Sequence, residues 1–189
     1  MPSMMVHFAV GREYRPEGDG LYLFGNIAPD FTDARAIKDV IHLRDRPDRL
    51  TALSELRDAI DIENGFELGW LLHLFADLRW DSELIPKFRD AYRGEGHWFP
   101  AYRDEISKLN NWMYQHVGWA REICGRAGAA DVSESRELSR VLPLPLELGW
   151  YRNRVLSRPL TRRDAPQVFS GDMAQEFAAE TARRFKEWL

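Results

Sequence analysis

The stretch GFELGWLLHLFADLRW, residues 65–80, is apolar on nearly every side when its residues are placed at helical spacing. A helix with this pattern is typically buried on all of its faces, because apolar surface is most favourably removed from water. The sequence therefore predicts a central helix that is surrounded by other helices. Most other segments also carry apolar residues at helical spacing, so the predicted fold class is all-α, a single-domain multi-helix bundle.

Length and composition fit one domain. A chain of 189 residues with 44% hydrophobic content can bury a substantial core, so residues 1–189 are interpreted as a single helical domain. The formal net charge of -4 argues against a surface that follows a nucleic-acid backbone, and no long nucleic acid is expected as a partner. No apolar stretch reaches the roughly 20 residues of a transmembrane segment. Cys124 is the only cysteine, so no intramolecular disulfide can form, and a cytoplasmic location is expected.

Capping and turn residues divide the rest of the chain into further elements. Before the central helix we expect a first helix capped by Ser3, a buried ordered loop over residues 21–31, and helices over 34–43 and 49–60. After it we expect one kinked or two short helices over 82–93 around Pro86, a long helix over 102–126 and a helix around 146–156. An amphipathic terminal helix over 173–189 is expected to dock by Phe177, Phe185 and Trp188.

His73 and Asp77 are the most informative polar residues of the central helix. A separation of four residues places both side chains on one face of the helix. Their neighbours are apolar, so an imidazole and a carboxylate would be costly to bury there without strong partners. A metal ion is one such partner. A hydrogen bond between the two side chains that only stabilises the helix is the alternative, and the pair alone does not decide between them.

Two further residues could approach this pair. His42 follows an apolar helix face formed by Ile37, Val40 and Ile41, which would turn its imidazole toward the core. Asp30 stands in the apolar segment before that helix, where an ordinary turn or capping role is also open.

Two imidazoles and two carboxylates form a donor set that suits zinc or another borderline divalent ion. The candidate ligands of the first ion are His42, His73, Asp30 and Asp77. His7, in the first helix, could serve a neighbouring second ion.

Four segments occur in an order that resembles the zinc-dependent phospholipase C superfamily, which also includes single-strand-specific nucleases. They are MVHFAV (5–10), GNIAPD (25–30), IHLRD (41–45) and GWLLHLFADLRW (69–80). The resemblance spans roughly residues 1–80. It implies the helical phospholipase C or nuclease fold and a cluster of zinc ions. The ligands that it implies are His7, Asp30, His42, His73 and Asp77.

The sequence also departs from that family. Its best-known secreted members bind metal through an N-terminal Trp and through a later H-x-x-x-E pair, whereas this chain begins MPSMMV and contains no H-x-x-x-E pair. Four residues are possible substitutes, although each is also readily explained as a surface or packing residue: Glu83, His97, Asp104 and His116. One or two metal ions are therefore expected instead of three.

These observations predict a metal-dependent hydrolase that acts on a phosphoester, either a phospholipid head group or a small phosphodiester or phosphomonoester. The metal would lower the pKa of a water molecule, and Asp30 would orient or deprotonate that water, a role that the resemblance also implies. The mixed-charge run RDRPDR, residues 44–49, is expected to be solvated surface.

The sequence also bears on two other functions. Phosphohydrolases of the HD type require an adjacent His-Asp dipeptide, and none occurs in this sequence. A non-enzymatic helical module, whose metal site is structural or vestigial, stays open as the alternative.

Overall fold

The computed structural model of the protein describes residues 1–132, 138–144 and 160–189, together with Leu148 and Leu156. Over these residues all regular structure is helical, which confirms the predicted all-α class. The elements are α1 (Met4–Tyr14), α2 (Gly20–Gly25), a short 3-10 helix (Ala28–Asp30), α3 (Arg35–Ile41), α4 (Arg49–Ala59), α5 (Gly65–Ala91), α6 (Trp98–His116), α7 (Ala120–Gly128) and α8 (Gly171–Trp188). The helix expected around 146–156 lies, except for Leu148 and Leu156, outside the described residues.

α5 is the central helix that the sequence predicts. The side chain of Asn64 caps it by accepting hydrogen bonds from the backbone N–H groups of Phe66 and Glu67. Trp70 is fully buried and its neighbours in the first half of α5 are buried, and α1, α2, α4 and α8 all pack against this helix. The segment 82–93 forms no separate helices, because α5 continues through Pro86 to its end at Ala91.

The prediction of a buried loop over residues 21–31 is wrong, because this segment forms α2 and the 3-10 helix. The Asp19 carboxylate accepts a hydrogen bond of 2.8 Å from the N–H of Tyr22 and so caps α2. Gly25 ends the helix where α2 crosses α5. A Cβ at this position would lie 2.2 Å from the carbonyl oxygen of Phe66, so the glycine allows close contact between two helices.

Other element predictions have mixed outcomes. The Ser3 cap of α1 is confirmed, and the helices over 34–43, 49–60 and 173–189 are confirmed to within two residues at each end. The single long helix over 102–126 is wrong, because residues 117–119 separate α6 from α7. α8 docks as expected, with Phe177 and Phe185 buried and Trp188 packed against the core.

The prediction that Ile37, Val40 and Ile41 form an apolar face of α3 directed toward the core is mostly wrong. Ile41 is buried, but Ile37 and Val40 expose 41% and 47% of their surface. α3 is short, and of its residues only Ile41 is buried. His42 caps the C-terminus of α3 and is buried even though most of the helix before it is not. None of the described helices has the length and apolar character that crossing a bilayer requires.

Candidate metal centre

Five side chains from four elements converge between α1, α3 and α5. His7 comes from α1, Asp30 from the end of the 3-10 helix, His42 from the C-cap of α3, and both His73 and Asp77 from the middle of α5. The structure therefore brings together all five residues that the sequence singles out as ligands. Two overlapping groups have ligand atoms within 4.8 Å of one another: His7 with Asp30 and His73, and His42 with His73 and Asp77.

The shortest distances in this cluster join imidazole nitrogens to one another or to carboxylate oxygens. The Nε2 atoms of His42 and His73 are 3.2 Å apart. Nε2 of His42 also lies 3.4 Å from Oδ1 of Asp30 and 3.5 Å from Oδ2 of Asp77. On the other side of the cluster, Nε2 of His7 lies 3.5 Å from Oδ1 of Asp77.

Backbone carbonyl groups determine the tautomers of two of these histidines. Nδ1 of His73 lies 2.9 Å from the carbonyl oxygen of Asn26, and Nδ1 of His42 lies 2.8 Å from that of Lys38. Because a carbonyl oxygen only accepts, each Nδ1 carries the hydrogen and donates it. In the neutral rings the lone pairs are then on the two Nε2 atoms, which face each other. A cation between them removes the resulting repulsion, and metal-binding histidines commonly donate their second N–H in this way.

His7 provides a second indication that a cation fits this cluster. Its ring stacks on that of His73 with centroids 3.8 Å apart, and both of its nitrogens are buried. Within the described part of the chain, neither nitrogen of His7 has a hydrogen-bond partner, and neither has Oδ1 of Asp77. Buried polar atoms without partners are rare because their desolvation is not compensated. A metal ion bound by these atoms would supply the missing interaction.

The protonation states favour metal binding. Burial, and then the neighbouring His7, hold the pKa of His73 well below its usual value, so the ring is neutral at neutral pH. Burial alone would raise the pKa of Asp77, but the adjacent His7 and nearby positive charges outweigh it and the pKa is lowered. Burial alone would also raise the pKa of Asp30, but Lys38 and His42 outweigh it and keep the pKa well below the usual value. Neutral imidazoles and ionised carboxylates are the forms that bind metals.

Three basic side chains line the same cluster. Nζ of Lys38 is 2.7 Å from Oδ1 of Asp30. Nη2 of Arg44 is 3.1 Å from Oδ2 of Asp77 and 3.6 Å from Asp81, and Nη1 of Arg49 is 3.0 Å from Asp81.

These basic side chains also show where the cluster is accessible. Those of Lys38, Arg44 and Arg49 are 20–27% exposed, as is that of Asp30, whereas the His7, His73 and Asp77 side chains are fully buried. Solvent is therefore nearest to the cluster on the side of the basic residues.

The interpretation of residues 44–49 as solvated surface is wrong for two of the three arginines. Arg46 fits it, since its side chain is 52% exposed and pairs with Glu55. Arg44 and Arg49 instead turn toward α5. A signal in the sequence could have indicated this, because Asp81 follows Asp77 by one helical turn and so extends the acidic face of α5.

An unusual backbone conformation at Leu43 directs Arg44 to the cluster. Leu43 has a φ of 56°, in the left-handed region that favours glycine. The N–H of Leu43 donates to the carbonyl of Val40, and the N–H of Arg44 donates to that of Asp39 at 2.8 Å. These two bonds define a Schellman motif at the end of α3. The chain reverses at Leu43, so Arg44 can reach Asp77 directly after His42.

The four substitute ligands considered from the sequence have partners elsewhere. Glu83 accepts two hydrogen bonds from Arg79, and Asp104 pairs with Lys108 and Arg162. His97 caps α6, and the Nδ1–H of His116 donates to the carbonyl of Trp112.

A comparison with protein families, with curated proteins and with solved structures gave no match.

Proposed function

We propose that this protein is a hydrolase that uses a divalent metal ion to cleave a phosphoester. The observation that supports this best is the pair of Nε2 atoms, on His42 and His73, that face each other at 3.2 Å beside ionised carboxylates. Imidazole and carboxylate donors together suit zinc. The resemblance of residues 1–80 to the zinc-dependent phospholipase C superfamily points in the same direction.

The ligand geometry favours one ion over two. His73 belongs to both groups of candidate ligands, but its Nδ1 is used by Asn26 and its Nε2 has a single lone pair. His73 can therefore bind only one ion. A second ion would have to rely on Asp30 and His7 with a shared carboxylate, which leaves it with fewer protein ligands than the first.

Each ligand would have a distinct role in the reaction. A divalent ion bound here would polarise a phosphoryl group and lower the pKa of a water molecule. His42, His73 and Asp77, which form one of the two groups of ligand atoms, are buried and would hold the ion. The Asp30 side chain is partly exposed, and its carboxylate would accept a hydrogen bond from the attacking water. Its low pKa makes it a weak proton acceptor, so it orients the water more effectively than it deprotonates it.

Replacement of Asp30 tests this assignment of roles. Asp30→Asn should lower kcat about a hundredfold, because the amide cannot orient the water as a carboxylate does. Metal content, measured by elemental analysis, should stay close to that of the wild type. The exposed Asp45, replaced by Asn, is the control and should leave kcat unchanged. Unchanged turnover in Asp30→Asn would contradict the role of Asp30.

Metal content tests the proposal as a whole. Protein purified without added metal, and protein incubated with zinc and then desalted, should contain about one equivalent of a divalent ion by elemental analysis. His73→Ala should lose most of it, whereas His116→Ala, at an exposed position whose ring donates to the carbonyl of Trp112, should retain it. A panel of chromogenic phosphomonoesters and phosphodiesters then measures activity. Absence of bound metal in the wild type under both conditions would overturn the proposal.

A structural metal site is the second candidate function, and the burial of four of the five ligands favours it. Structural zinc sites are closed, whereas catalytic sites keep one position open for water. Substitution with Co²⁺ distinguishes the two, because a water ligand in an open site is displaced by added azide with a change in the visible spectrum. A spectrum insensitive to azide, with chelation lowering Tm and no measurable turnover, would establish the structural role.

A further inference from the structure

The formal charges beside the metal centre cancel before any ion is bound. Three carboxylates, those of Asp30, Asp77 and Asp81, are paired with three basic side chains. These are Lys38, Arg44 and Arg49. The ligating imidazoles are neutral when they bind a metal.

A divalent ion bound together with a neutral water molecule therefore leaves two uncompensated positive charges at this site. Uncompensated charge in a partly buried site is unfavourable, because the surrounding dielectric is lower than that of water. An anionic ligand that enters from the accessible side restores neutrality. A phosphomonoester dianion carries the two negative charges that are required, whereas a phosphodiester carries one.

Lys38 and Arg44 are placed to contact such an anion. Lys38 contacts Asp30 and Arg44 contacts Asp77, and an oxygen of each carboxylate lies within 3.5 Å of Nε2 of His42. The two basic side chains therefore flank the same metal ligand. Their contacts with these carboxylates use Nζ of Lys38 and Nη2 of Arg44. An ammonium has three donors and a guanidinium five, so further N–H groups are available to phosphate oxygens. Both side chains reach the accessible side of the centre.

We propose that Lys38 and Arg44 form a phosphate clamp beside the metal centre, and that this clamp selects a phosphomonoester dianion over a phosphodiester. The inference rests on the proposed function and specifies its substrate class. In the reaction, an O–P bond forms from water while the ester P–O bond breaks and its electron pair stays on the alcohol oxygen. One proton of the water ends on that alcohol, and the products are hydrogen phosphate and the alcohol. The clamp remains unchanged.

Binding of inorganic phosphate tests the clamp without relying on turnover. Calorimetric titration of phosphate into zinc-loaded protein should give a Kd that rises about tenfold in Lys38→Met and in Arg44→Gln. Two matched controls should leave the Kd unchanged: Arg35→Gln on the exposed side of α3, and Arg46→Gln in the same run as Arg44. Lys38→Arg retains the charge and should largely restore binding, which separates loss of the clamp from damage to the fold.

Activity provides a second measurement. In the wild type, kcat/KM should be higher for p-nitrophenyl phosphate than for bis(p-nitrophenyl) phosphate. The ratio of the two values should fall about tenfold in Lys38→Met, mainly because the KM for the monoester rises. Zinc content is measured for every variant. A wild type that binds zinc and cleaves diesters, but whose phosphate affinity is the same in Lys38→Met and Arg44→Gln, would overturn the clamp and leave the proposed function intact. A wild type that binds no metal would overturn both.

Discussion

His73 is oriented by contacts at both ends of its ring. Its Nδ1–H donates to the carbonyl of Asn26, its Nε2 faces His42, and its ring stacks on His7. The spacing of His73 and Asp77 could be read from the sequence, because residues four apart share a helix face. The contact with Asn26 could not, since every residue has a backbone carbonyl and no residue type marks the one that will be used.

Leu43 is a residue whose conformation can be tested by itself. Both Leu43→Ala and Leu43→Gly delete the side chain, but only glycine adopts a φ of 56° without steric strain. The free energy of unfolding, measured by urea denaturation, should therefore be about 1 kcal/mol larger for Leu43→Gly than for Leu43→Ala. The comparison cancels the lost packing of the leucine. A larger value for the alanine variant would contradict the left-handed conformation.

Among the helix contacts, the crossing of α2 and α5 most directly affects the geometry of the metal centre. Asn26 caps the C-terminus of α2, and its side-chain amide donates to the carbonyl of Gly69 on α5. A Cβ on Gly69 would lie 2.2 Å from the carbonyl oxygen of Tyr22. The backbones of α2 and α5 are therefore in direct contact, and this contact sets the distance between Asn26 and His73.

Two glycine substitutions separate close contact from helix propensity. Gly69→Ala should lower the free energy of unfolding by about 3 kcal/mol, because the added methyl group meets backbone that cannot move independently. Gly125→Ala is the control. It lies in α7 with open space around its Cα, so alanine should raise the stability by about 0.5–1 kcal/mol through helix propensity. Chemical denaturation measures both, and a neutral Gly69→Ala would contradict the close crossing.

At the level of the whole molecule, burial of charged and titratable groups links the cluster to global stability. Burial lowers the pKa of His73 below 6.5, so from that pH downward the unfolded chain binds more protons than the folded one. The lowered pKa values of Asp30 and Asp77 act in the same direction, but only below about pH 4. The metal-free protein should therefore be most stable above pH 6.5 and should lose stability as the pH falls.

This expectation can be measured by urea unfolding of the chelated protein between pH 8 and pH 5. The free energy of unfolding should fall below pH 6.5 with a slope of up to about 1.4 kcal/mol per pH unit from His73. His73→Asn should reduce this slope, whereas His116→Asn should retain it, because His116 is at the surface. A wild-type stability that does not change between pH 6.5 and pH 5 would show that His73 titrates normally.

The sequence by itself determined the features that depend on neighbours along the chain. Helical spacing of apolar residues predicted the all-α class and the central helix α5, and a separation of four residues placed His73 beside Asp77. The resemblance of four short segments to a zinc-dependent family implies that His7, Asp30 and His42 join that pair, and the structure brings these five residues together.

Only the tertiary structure decided which surfaces meet. A glycine looks the same in a sequence whether it ends a helix or allows two helices to touch, so the sequence predicts a loop where α2 forms. The outward position of Ile37 depends on how much of α3 the rest of the bundle covers. Arg44 reaches Asp77 because the chain reverses at Leu43, in a conformation that sequence patterns assign to glycine. Burial and ion pairing are relations between distant segments, and local spacing does not encode them.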